Sequence, residues 1–202
     1  MINANALTLE NLRTLTDGEL IAKAIAGRED GFEELVRRYQ RPITAYVYRM
    51  TNDYDAALDV SQEIFIKVYN SLARYKTEFK FSTWIYKIAH NAAIDYLRRN
   101  SNGECSLDLE FEDETFERPI ESKLASPEVE RERSEWRGEI HKVVQKLPAA
   151  YRELILLRHS QDLSYDEIAE IMNLPLGTVK NRLFRARELM RDLLVERGIT
   201  GV

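Results

Sequence analysis

The sequence predicts an all-α protein of two small helical domains joined by a flexible acidic linker. Three observations carry that prediction. First, apolar residues recur at helical spacing behind recognisable caps over residues 15–100 and again over 127–195, with no sustained strand alternation. Second, the period is lost between them, in "SNGECSLDLEFEDETFERPIESKLAS", which is punctuated by Gly103 and Pro119. Third, charge divides the same way. The formal net charge is -5, yet residues 1–100 hold 14 basic and 13 acidic side chains and residues 128–202 hold 13 of each. Residues 101–127 set only Arg118 and Lys123 against eight acids. The acidity belongs to one segment, so it does not argue against nucleic-acid binding by either flank.

The elements follow in order. Thr16-Asp17-Gly18-Glu19 has the capping-box form: a Thr whose oxygen accepts an orphan amide, and a Glu three residues on. Leu20, Ile21, Ala24 and Ile25 follow at helical spacing, and Phe32, Leu35, Val36 and Tyr39 make the next stripe. Pro42 suits the first turn of a further helix, with Ile43, Tyr46, Val47 and Met50 on one face. Asp53 to Leu72 is a fourth helical stretch with Ala57, Val60, Ile64, Val68 and Leu72 inward. Ser82 or Thr83 caps a fifth, carrying Trp84, Ile85, Ile88, Ala92 and Leu97 toward the core, and the domain ends near Asn100. After the linker, Ser126 is a good N-cap, Pro127 fits the first helical position and Glu128 suits the positive helix end. Trp136, Ile140, Val143, Val144 and Leu147 form a buried stripe stopped by Pro148, and Tyr151, Leu154, Ile155 and Arg158 begin another helix.

"LSYDEIAEIMNLPLGTVKNRLFRARELM" then reads as a helix-turn-helix. Ser164 and Glu167 form a second capping box ahead of Ile168, Ala169, Ile171 and Met172. Asn173 can take the left-handed conformation that ends helices, Pro175 forbids simple continuation, Gly177 lets the chain turn and Thr178 caps the second helix. At ~100° per residue, Val179, Leu183, Ala186 and Met190 face the core while Asn181, Phe184, Arg185 and Glu188 lie opposite. A Phe among cations suits thymine methyls, beside Asn and Arg that read base edges. Lys180, Arg182 and Arg187, on the flanks, suit phosphates.

Two further segments stand out. Tyr75 to Arg99 interleaves Tyr75, Phe79, Phe81, Trp84 and Tyr86 with Lys76, Lys80, Lys87, Arg98 and Arg99, so that rings can stack on unpaired bases while cations hold the backbone. Trp84 shares the Ile85/Ile88 face and reads as core, whereas Tyr75, Phe79 and Phe81 fall on a loop before the helix, and Tyr86 and Asn91 are polar positions on it. Asp59, Gln62 and Glu63 share one helix face, opposite Ile64 and Val68. With no histidine nearby and no Gly-rich phosphate loop, that face reads as a protein-docking or solvated surface rather than a metal or acid–base site.

Several classes are set aside. No apolar run approaches the ~20 residues of a membrane span, and Met1 to Thr16 lacks the form of a signal peptide, so a cytoplasmic protein without direct membrane insertion is expected. The single cysteine, Cys105, forms no internal disulfide and has no CxxC partner. No nucleophile–base pair or metal set is found, so no enzyme activity, catalytic residue, metal, cofactor or small-molecule substrate is expected.

The ordered set Asp59-x-x-Gln62-Glu63-x-Phe65, "FSTWIYKIAHN" from Phe81, Leu147-Pro148, "SYDEIAEIM" from Ser164 and "GTVKNRLFRAR" from Gly177 resembles the bacterial RNA polymerase sigma factors of the extracytoplasmic-function (ECF) group, in the sigma-70 family and nearest the sigma-E type. The resemblance implies a region 2 helical bundle over 15–100, an acidic linker over 101–126 and a region 4 helix-turn-helix over 127–195. It implies docking of Asp59, Gln62, Glu63 and Lys67 on the clamp helices of the polymerase beta-prime subunit. It implies recognition and melting of the minus-ten element, with base capture, by Arg74 to Ser82 and by Tyr75, Lys76, Phe79, Lys80, Phe81, Tyr86, Lys87, Asn91, Arg98 and Arg99. It implies contact with the beta flap and reading of the minus-thirty-five element by Thr178, Lys180, Asn181, Arg182, Phe184, Arg185 and Arg187. The linker would thread the RNA exit path, either as a nucleic-acid mimic or as a solubilising tether. An anti-sigma factor, often membrane-anchored, is the further partner implied. Without the resemblance, a conventional helix-turn-helix regulator explains Leu163 to Met190 but neither of the other two segments.

Overall fold

The computed structural model describes residues 12–76, 78, 80–100 and 127–199, with side chains described from 136 onward in the last span. Phe79, the linker 101–126 with Cys105, and the Ser126 cap lie outside the described residues. Every regular element among those described is helical. They form two compact units, the main break falling between Arg99 and Asn100.

The first unit comprises α1 (Asp17–Ile25), α2 (Glu29–Thr51), α3 (Tyr54–Ser71), a 3₁₀ turn (Leu72–Arg74) and α4 (Phe81–Asn100). The capping box starts α1: the Thr16 N–H donates to the Glu19 carboxylate at 2.7 Å, and the Glu19 N–H donates to the Thr16 hydroxyl at 3.4 Å. Leu20 and Ile21 are buried, but Ile25, the last residue of the helix, is 55% exposed and does not continue the stripe inward. Gly31 lets α2 approach closely: a Cβ there would stand 2.6 Å from the Leu20 carbonyl oxygen.

Pro42 does not begin a helix. It lies inside α2, which runs unbroken from Glu29 to Thr51. The proline forfeits one i→i−4 hydrogen bond. Ile43, Tyr46, Val47 and Met50, all 0% exposed, anchor the C-terminal half to the core and offset that loss. A polar network that the periodicity did not reveal ties residues 12–17 to this helix. Buried Glu34 accepts from the Arg37 Nε at 2.8 Å and the Arg38 Nε at 3.1 Å. Arg38 also reaches Asp17 at 2.9 Å and the carbonyls of Leu12, Arg13 and Leu15. Asp53 caps α3 by accepting from the Ala56 N–H at 3.0 Å, and Ala57, Val60, Ile64, Val68 and Leu72 are buried as the stripe requires. Helix α4 begins at Phe81, so neither Ser82 nor Thr83 is its cap; Thr83 is buried within the first turn.

The second unit, to which residues 170–172 at the end of α7 are not assigned, comprises α5 (Pro127–Lys146), α6 (Ala149–Ile155) running into a π-helical turn (Leu156–Ser160), α7 (Tyr165–Met172) and α8 (Leu176–Glu196). Val143, Val144 and Leu147 are buried, but Trp136 and Ile140 are 45% and 37% exposed. The helices packed on α5 cover the last turns of its stripe and leave those two residues open. Arg152 donates to the carbonyls of Gln145 and Leu147 at 2.6 and 3.2 Å, satisfying acceptors that the end of α5 leaves orphaned. The second capping box is present: the Ser164 N–H donates to Glu167 at 2.8 Å, and the Glu167 N–H donates to the Ser164 hydroxyl at 3.2 Å. Asn173 ends α7 with φ 52. Helix α8 starts earlier than expected, at Leu176 behind Pro175. Gly177 and Thr178 therefore lie in its first turn, and Thr178 is not the cap.

Candidate nucleic-acid interface

Helix α8 is oriented by its apolar stripe. Val179, Leu183 and Ala186 are at most 1% exposed, and Met190 is half-buried. The opposite face carries Asn181, Phe184 and Arg185, all exposed, with Phe184 at 62%. Lys180 and Arg187 are exposed on the flanks, while Thr178 and Arg182 are half-buried. Three residues not anticipated from the sequence join this edge. The Arg187 Nη2 donates to the Tyr165 hydroxyl at 3.3 Å. The Arg158 guanidinium lies 5.3 Å from the Tyr165 ring centroid and donates to the Leu163 carbonyl at 2.9 Å. His159 stands on the same π-helical turn, its pKa pushed below the usual value by burial and then by Arg187 and Arg158. The period could not have found this group, because its members come from three elements brought together by the turn at 161–164.

The aromatic–basic segment of the first unit is arranged differently. Phe81 and Tyr86 are 4% and 3% exposed. Phe81 packs edge-on against Tyr39 at 5.2 Å, and Tyr86 packs edge-on against Tyr46 at 5.6 Å. Neither ring can stack on a base in this conformation, which corrects the expectation for both, and Phe81 lies on the helix rather than on a loop before it. Trp84 is not core: it is half-buried and packs with Phe81 at 5.7 Å and Tyr75 at 5.3 Å. Tyr75 is also half-buried, and burial pushes its hydroxyl pKa up. Lys76, Lys80, Asn91, Arg98 and Arg99 are exposed and Lys87 is half-buried. Lys87, Asn91 and Arg98 fall on one face of α4 by spacing.

On α3, Asp59, Gln62, Glu63 and Lys67 are all exposed. The same outer surface carries Leu58, Ile66 and Tyr69 at 37%, 61% and 57% exposure. These three went unremarked in the sequence, where Ile64 and Val68 dominate the apolar pattern. Their signal was a second set of apolar residues out of phase with the first. Glu63 and Lys67 also open onto a cleft of about 390 Å³ that they share with Ala92, Asp95, Arg98 and Arg99 of α4. No group of side chains among the described residues could hold a metal ion, and no described helix is long and apolar enough to cross a membrane.

Residues 35–103 match the family model for Sigma-70 region 2, and residues 137–190 match that for Sigma-70, region 4. The RNA polymerase sigma-H factor of Pseudomonas aeruginosa is 37% identical over 180 residues, 88% of this chain and 93% of that protein. The ECF RNA polymerase sigma-E factor of Escherichia coli K12 is 39% identical over 176 residues, 86% of this chain and 92% of that protein. The chain belongs to the ECF sigma factors of the sigma-70 family. A solved sigma factor shares the fold: RpoE from Bartonella quintana, in complex with the anti-sigma factor NepR, superposes with a TM-score of 0.61 at 20% identity, covering 81% of this chain and 96% of that one. In this sigma factor the region 2 match runs from Leu35 in α2 to three residues past the end of α4, and the region 4 match runs from Arg137 in α5 to Met190 in α8.

Proposed function

We propose that this sigma factor binds core RNA polymerase, directs it to specific promoters and promotes DNA opening for initiation in a stress or envelope response, without catalysing a reaction itself. The observation that carries the reading is that one chain holds both family regions, each with an exposed binding face. The outer face of α3 docks on the beta-prime clamp helices through Asp59, Gln62, Glu63 and Lys67, with Leu58, Ile66 and Tyr69 as apolar contacts. A conventional helix-turn-helix regulator would leave that apolar face without a task. Residues 15–100 act as region 2, 101–126 as the linker and 127–195 as region 4.

On α8, Asn181, Phe184 and Arg185 read the minus-thirty-five element, with Lys180, Arg182, Arg187 and the N-terminal turn around Thr178 on phosphates; region 4 also docks on the beta flap. Around the minus-ten element, Lys76, Lys80, Lys87, Arg98 and Arg99 hold the strand while Tyr75 and Asn91 meet the bases. The exposure of these side chains supports that assignment, apart from half-buried Tyr75, Lys87, Thr178 and Arg182. The protein works in the cytoplasm. An anti-sigma factor restrains it and can hold it at the membrane; family membership supports that partner.

Glu63→Arg tests the docking. Glu63 is exposed, so the fold survives. Affinity for core polymerase, measured by competition, drops about tenfold or more. Unchanged affinity would remove α3 from the docking face.

A further inference from the structure

A second, smaller cleft lies between the start of α2 and the end of α3, lined by Glu29, Phe32, Glu33 and Tyr69. We propose that it receives an arginine side chain from the polymerase subunit that docks on α3. This rests on the docking reading above and adds to it a site and the chemistry of its occupant.

Size comes first. The cleft is about 270 Å³, just below the ~300 Å³ at which small-molecule pockets begin. Only four side chains line it, which suits the tip of one long side chain. Its walls are Phe32 and Tyr69, edge-to-face at 4.9 Å and 65°. Tyr69 is nevertheless 57% exposed, so its ring is open to a visitor.

Charge comes second. Glu29 and Glu33 stand one helical turn apart and are exposed, and neither has an ion-pair partner among the described residues. On the same helix, Glu34 points inward and is paired with both Arg37 and Arg38. The outward pair therefore offers two unspent carboxylates beside an open ring. A cation is attracted by the face of a ring, and carboxylates reinforce it. Guanidinium fits better than ammonium because it is planar, stacks on rings, can fork two carboxylates and gives up its hydration more readily.

Position names the donor. Leu58, Gln62, Ile66 and Tyr69 follow one another at helical spacing along the exposed face of α3. The stripe runs up to Tyr69, so a partner segment laid along it reaches the cleft.

The test uses the full chain and core polymerase, with affinity measured across a salt series. Glu29→Gln combined with Glu33→Gln should bind core about tenfold more weakly at low salt and show a shallower salt dependence. Its thermal midpoint should fall only slightly, because both carboxylates are exposed and the sole expected loss is the Glu29 charge at the first position of α2. Tyr69→Leu, which keeps apolar bulk but removes the ring, should also weaken binding. If the double variant binds as the parent does while Glu63→Arg is weakened, the cleft assignment is overturned and docking on α3 stands. Weakening by the glutamines but not by Tyr69→Leu would reduce the cleft to a general acidic rim, which overturns the arginine assignment. Unaltered binding in both the double variant and Glu63→Arg overturns the docking reading and the cleft with it.

Discussion

Helix α8 turns Phe184 outward between Asn181 and Arg185, whereas α4 turns Phe81 and Tyr86 into the core against Tyr39 and Tyr46. Both helices mix rings with cations, but only α8 sets a ring well out into solvent, since Trp84 on α4 is half-buried. The difference lies in what else fills the inward face. On α8, Val179, Leu183 and Ala186 complete a narrow stripe, so a ring placed opposite has nowhere to go but out. On α4, three of the buried residues are Ala89, Ala92 and Ala93. Such small side chains leave volume that Phe81 and Tyr86 supply. An aromatic beside a lysine is thus a surface feature only when the core is already complete without it.

The sharpest way to break that contrast is to remove one ring from each helix. Tyr86→Ala should cost ~3–5 kcal/mol of stability in the first unit, as expected for a fully buried aromatic. Phe184→Ala should change stability by no more than about 0.5 kcal/mol and weaken promoter binding instead. Thermal unfolding and promoter binding by the reconstituted holoenzyme, measured on both variants, check this. A stable Tyr86→Ala protein would mean the ring is not core.

The next contrast lies within α8. Arg185→Ala should cost ~1–3 kcal/mol at the upstream element and much less on unrelated DNA, if it makes a bidentate base contact. Lys180→Ala should weaken binding to all sequences alike and lower the salt slope by about one. Equal losses across sequences for Arg185→Ala would demote it to a phosphate contact.

These contrasts mark where the sequence was legible. Both capping boxes, the inward Asp53-to-Leu72 stripe and the outward face of α8 could be read directly, because caps and period are local, but the inward stripe masked the out-of-phase Leu58, Ile66 and Tyr69 on the same helix. Pro42 misled, since tertiary burial of Ile43, Tyr46, Val47 and Met50 holds a helix together across a residue that locally breaks it. Thr178 and Ser82 misled because the preceding residues already enter the helix. Trp136 and Ile140 have the right spacing for burial, but periodicity cannot say how far a neighbouring helix extends. The Arg158–Tyr165–Arg187 group and the Glu34–Arg38–Asp17 network were out of reach for the same reason: their partners lie on different elements.

The smallest effect concerns His159. Burial, then Arg187 and Arg158, lower its pKa from the ordinary 6.5. As pH falls the unfolded chain takes up this proton first, so the contribution is fully present above the ordinary value and is lost below it. Stability of the second unit, followed by hydrogen exchange in α6–α8, should decline modestly as pH falls through the ordinary value of 6.5. His159→Gln should flatten that decline. An equally steep decline in the variant would assign it to other groups.

The central claim is that the two units act together through polymerase. Run-off transcription with core polymerase, on a promoter that the protein occupies in cells, tests it most directly. A transcript is expected only when the protein is added, and is reduced in Glu63→Arg and in Arg185→Ala. Specific binding of the free protein to duplex DNA, with no transcript upon adding core, would contradict it.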